Sequence, residues 1–107
     1  MTKFIATAST RALFQRAPMI GLTTPERQQF DTIAQHFLAG PPEGAPDIWF
    51  SYYQGYELLA AARQRSALID LIAATFWQAQ SRGLVSLRQR RSEGHALHPL
   101  WSYEARL

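Results

Sequence analysis

Phe30, Ile33, Ala34, Phe37 and Leu38 recur at intervals of three and four, so one apolar face forms if residues 25–39 are helical. Thr23 or Thr24 is placed to cap that helix. Pro25 presets φ in its first turn, Glu26 sits at the positive end of its dipole, and Gly40, Pro41 and Pro42 end it. A second pattern of this kind covers residues 66–82, where Leu68, Ile69, Ile72, Phe76 and Ala79 form an inward stripe. Ser66 caps it and Gly83 stops it. Trp77 falls just off the stripe and is expected in the core. After Gly83 the period changes to two, which predicts a strand over 84–91, a turn at 92–94 and a returning strand over 95–103. Pro99 must then face an open edge, because it cannot donate to a ladder.

Between these segments the pattern is ambiguous. Residues 41–46 read as a loop, and five aromatics then crowd eight positions, Trp49, Phe50, Tyr52, Tyr53 and Tyr56. Trp49, Tyr52, Tyr53, Tyr56 and Ala60 match a helix that Asp47 would cap, whereas Ile48, Phe50 and Tyr52 match a strand. Gly55 weakens both; the helical reading is preferred, and from Glu57 the alanine- and leucine-rich run is firmly helical. The expected class is therefore α+β and mainly helical, with three helices followed by a C-terminal β-hairpin. Residues 1–22 read as an N-terminal arm and 23–107 as a single domain.

The composition narrows the chemistry. The 107-residue chain has no cysteine, which excludes disulfides, thiolate zinc sites and a cysteine nucleophile. No apolar stretch approaches the roughly 20 residues that span a bilayer, so no membrane partner is expected. The segment 1–22 carries Lys3, Arg11 and Arg16 with no acid, as mitochondrial transit peptides do. An unprocessed arm on a bacterial cytoplasmic protein is the expectation, with mitochondrial targeting as the alternative.

The net charge of +3 hides a segregation. Residues 26–62 hold five acids and one arginine, whereas 63–91 hold Arg63, Arg65, Arg82, Arg88, Arg90 and Arg91 against Asp70 alone. Such a block is an electrostatic footprint for a polyanion, and arginine suits bidentate phosphate contacts. No phosphate loop, paired histidines or nucleophile elbow occurs, and the scattered carboxylates name no acid–base pair. His95, His98 and Glu93 form the one metal-like cluster, and they read as solvated turn residues. No catalytic residue, cofactor or metal is therefore expected.

The helical segments, the glycine at 83 and the arginine-rich strand follow in the order found in winged-helix DNA-binding domains. The run Gln78-Ala-Gln-Ser-Arg-Gly-Leu-Val resembles the end of a recognition helix passing through a glycine into that family's wing. Thr24-Pro-Glu-Arg and Tyr53-Gln-Gly-Tyr-Glu-Leu-Leu further resemble a family of short bacterial winged-helix-like toxins. The resemblance implies a small transcriptional regulator that binds duplex DNA, as a homodimer. Its contacts would be Gln78, Arg82 and the wing arginines Arg88, Arg90 and Arg91, with Arg63 and Arg65 on flanking phosphates. The helix over 66–82 departs from the family in being apolar and in carrying Asp70, so the wing is expected to supply most of the affinity. The alternative expectation is a non-enzymatic interaction module that docks on a protein partner through Trp49, Tyr52, Tyr53, Tyr56 and the N-terminal arm.

Overall fold

A computed structural model of the chain describes residues 6–45, 48–55, 66–91 and 100–107. Among them are three helices, α1 (Ala8–Gln15), α2 (Thr24–Leu38) and α3 (Ala67–Ser81). Three strands, β1 (Phe50–Gly55), β2 (Ser86–Arg91) and β3 (Trp101–Arg106), form one antiparallel sheet. Its spatial order is β1-β3-β2, so the last strand lies at the centre. No helix among the described residues is long and apolar enough to cross a membrane.

Each helix is started by a hydroxyl that accepts from a backbone N–H left without a helical partner. Thr7 caps α1 by accepting from the Thr10 amide, and Ser66 caps α3 by accepting from the Ile69 amide. On α2 the device is reciprocal. The Glu26 amide donates to Thr23 Oγ1 at 3.3 Å, and the Thr23 amide donates to Glu26 Oε1 at 2.9 Å. The bond from the Thr23 amide, with a further one from the Thr23 side chain, favours the ionised carboxylate and holds the Glu26 pKa below its ordinary value. Helix α3 ends as the sequence predicts. Gly83 adopts φ +71°, its amide donates to Gln80 O, and the Leu84 amide reaches back to Ala79 O. That 6→1 and 5→2 pair turns the chain out of the helix and into β2.

The core lies between the helices and one face of the sheet. Phe76 of α3 is fully buried, with its ring centroid 5.0 Å from Phe14, 5.1 Å from Phe37 and 4.0 Å from Tyr52. Phe50 of β1 packs on Phe37 at 5.5 Å, and Ala105 and Tyr103 of β3 are buried beside them. Residues 6–22 contribute to this core directly, since Phe14 on α1 is 2% exposed.

Two expectations need correction. The order of elements is helix, helix, strand, helix, strand, strand, because residues 50–55, read as helical, form β1, and the segment read as an arm contains α1. The sheet accordingly has three strands, where a hairpin was expected. Pairing with β3 and the β-propensity of the aromatic run outweigh the helical spacing. The register of β1 shifts between Ser51 and Tyr53, so Tyr52 is an extra, bulged residue against β3. The bulge breaks strict alternation: Tyr52 stacks on Phe76 while its neighbour Tyr53 still meets Tyr103, ring to ring at 5.8 Å. The second correction is Trp77, which is 55% exposed. It follows Phe76 by one residue, and one step along a helix turns about 100° away from the core-facing position. The turn at 92–94, Pro99 and the helical reading of 57–63 lie outside the described residues.

Candidate nucleic-acid interface

The face of the sheet turned away from the helices is polar. Alternation along β2 puts Arg88 and Arg90 on this face, and the β3 register sets Glu104 opposite Arg88 and Ser102 opposite Arg90. Across the other ladder, Ser51 Oγ and Ser102 Oγ share a hydrogen bond of 3.0 Å. The twelve residues of β2 and β3 carry four arginines, Arg88, Arg90, Arg91 and Arg106, against the single acid Glu104.

Three of these side chains are tied to one another. Arg88 Nε donates to Glu104 Oε1 at 2.7 Å, across a half-exposed guanidinium and a carboxylate that is nearly buried. The Arg88 guanidinium carbon also lies 4.3 Å from the centre of the Trp49 ring, and that of Arg106 lies 4.8 Å from the same ring. An exposed ion pair adds roughly 0–1 kcal/mol, and a cation over an indole adds about 0.5–1 kcal/mol. Orphaning a buried carboxylate costs more, about 1–3 kcal/mol, so Glu104 needs its arginine more than Arg88 needs its acid.

Beyond this cluster the face opens into a recess of about 290 Å³. Arg90, Ser51, Gln54, Ser102 and Glu104 line it, together with Arg91 and Trp101, the pair at the end of β2 and the start of β3. Both Arg90 and Arg91 are exposed. The lining offers charged donors together with hydroxyl and amide groups, a set suited to phosphate oxygens.

The residues expected to bind DNA are therefore partly brought together. Arg88, Arg90 and Arg91 share β2. Gln78 and Arg82 are exposed in the last turn and at the C-cap of α3, beyond the opposite end of that strand. From Ser86 to Arg90 alone the strand rises about 13 Å. Arg63 and Arg65 lie outside the described residues.

The aromatic residues are used differently. Tyr52 is a core residue whose pKa burial pushes up to about 12, with the nearby Tyr103 adding to the rise. Burial raises Tyr53 as well, and its ring lies over Gly55: a Cβ there would sit 2.8 Å from the Tyr53 ring carbons. Trp49 is half-buried under its two arginines, and Tyr56 lies outside the described residues. His95, His98 and Glu93 also lie outside them. No group of His, Asp and Glu among the described residues could hold a metal ion.

Arg106, Glu104, Ser51 and Ser102 belong to this face and were not anticipated. Their signal was the period-two parity that Glu104, Arg106 and Ser102 share on one strand, legible only once β3 is extended to residue 106. Comparison with protein-family models, with curated proteins and with solved structures finds no match to this chain.

Proposed function

We propose that this chain is a small winged-helix-like domain that binds duplex DNA through the arginines of its sheet and acts in transcriptional regulation. The observation that carries the reading is the gathering of Arg88, Arg90, Arg91 and Arg106 on two adjacent strands with only Glu104 among them. None of the acids of the first half neutralises them among the described residues, where the ion pair is that of Arg88 with Glu104. The junction from α3 through Gly83 into β2 supports the winged-helix likeness, because the glycine cap leads the chain directly from helix into basic strand. Docking through aromatics and arm fits less well. Tyr52 and Phe14, which would have to face a partner, are 6% and 2% exposed and belong to the core.

Electrophoretic retention on random duplex at two salt concentrations tests the reading. If about three phosphates are engaged, counterion release lowers the affinity about 40-fold between about 50 and about 200 mM salt. Changing Arg88, Arg90 and Arg91 together to alanine abolishes retention while the far-UV spectrum stays native. Undetectable or salt-insensitive binding by the unchanged protein contradicts the proposal.

A further inference from the structure

The arginines of the open sheet face are of two kinds. Arg88 is engaged twice, by the Glu104 carboxylate at 2.7 Å and by the Trp49 ring at 4.3 Å, and Arg106 lies over the same ring. Arg90, from the same face, and Arg91, from the end of β2, line the recess next to them, alongside Ser51, Gln54 and Ser102. We propose that Arg90 and Arg91 form the site for the phosphodiester of duplex DNA, while Glu104 withholds Arg88 from it by occupying the position of a phosphate. This deepens the DNA-binding reading and rests on it.

The argument is one of competition. A phosphate that takes Arg88 must displace a carboxylate already at charge-assisted hydrogen-bond distance, and the displaced Glu104, 7% exposed, has little water to replace its partner. The exchange therefore returns little free energy. Arg90 and Arg91 are exposed, and among the described residues neither has such a partner to give up. Glu104 also borders the recess, so its charge lowers the attraction that the two arginines present to a polyanion. The acid thus sets how many arginines of the face meet DNA.

The dependence of affinity on salt counts those contacts, because each phosphate neutralised contributes about 0.9 to the logarithmic slope. Retention on random duplex is measured over a salt series for the unchanged chain and for Arg90→Gln, Arg91→Gln, Arg88→Gln and Glu104→Gln. The Arg90 and Arg91 variants each flatten the slope by about 0.9. Arg88→Gln flattens it by less than half as much, and Glu104→Gln tightens binding several-fold with a steeper slope. Far-UV spectra accompany each variant. If Arg88→Gln or Glu104→Gln does not fold, the two exposed arginines still decide, since unchanged slopes in both would overturn the assignment. An Arg88 effect equal to that of Arg90, or a Glu104→Gln protein that binds no better, overturns it while leaving DNA binding in place. No retention of the unchanged chain overturns both readings together.

Discussion

The two faces of the sheet are built from alternate residues of the same three strands, yet they differ in nearly every respect. Phe50, Tyr52, Tyr103 and Ala105 face the helices and pack among Phe14, Phe37 and Phe76 without a charge among them. Ser51, Gln54, Arg88, Arg90, Ser102 and Glu104 are on the opposite face, where hydrogen bonds, an ion pair and an open recess replace close packing. The inner face holds the fold together by removing apolar surface from water. The outer face contributes less to stability and retains charge at the surface. On the proposed reading, fold and binding are divided across a sheet one residue thick, and substitutions on the two faces separate them.

The largest effects belong to the inner face. Phe76→Ala removes a ring that touches three others in a fully buried site, and a loss of about 3–5 kcal/mol in urea unfolding is expected. Phe14→Ala should cost a similar amount, about 3 kcal/mol or more, because its ring packs on Phe30, Phe37 and Phe76. A loss below about 1 kcal/mol would instead make α1 a dispensable arm and would break the comparison.

The outer face should respond less. Arg88→Ala is expected to cost about 1–3 kcal/mol by leaving Glu104 buried without its partner. Arg90→Ala, at an exposed position, should change stability by less than about 0.5 kcal/mol. Urea midpoints of the two variants check this difference, and equal losses would mean that the Arg88–Glu104 pair has no special weight.

A dependence on pH is also expected. Tyr52 ionises near 10 when unfolded and near 12 in the fold. Its burial therefore contributes stability that is complete below pH 10 and lost as pH rises through 12. The urea midpoint should fall over that interval, and Tyr52→Phe should make the fall shallower. A fall of unchanged steepness would place the titrating group elsewhere.

How much of this was legible in the sequence follows from the range of each interaction. Helices α2 and α3 lie within one or two residues of the spans that spacing and caps predict, because Thr23, Glu26, Ser66 and Gly83 act on backbone groups three to five residues away. Strand β1 is not legible from spacing, because its bulge puts Tyr52 and Tyr53 out of strict alternation and its partner β3 lies some fifty residues further along the chain. The candidate site was half legible. The arginine block stands out in the sequence, but the pairing of Arg88 with Glu104, sixteen positions away, depends on strand register. So does the hydrogen bond from Ser51 to Ser102, fifty-one positions away. The residue type of Trp77 points to the core, whereas its angular position on α3 decides its exposure.

The division of labour between the faces is tested most directly by amide chemical shifts recorded while a short random duplex is added to the intact chain. The account predicts that shifts concentrate at Gln54, Arg90, Arg91 and Ser102, with Phe30 and Ala34 on α2 unmoved. Shifts confined to α1 or α2, or none at all at low salt, would contradict it.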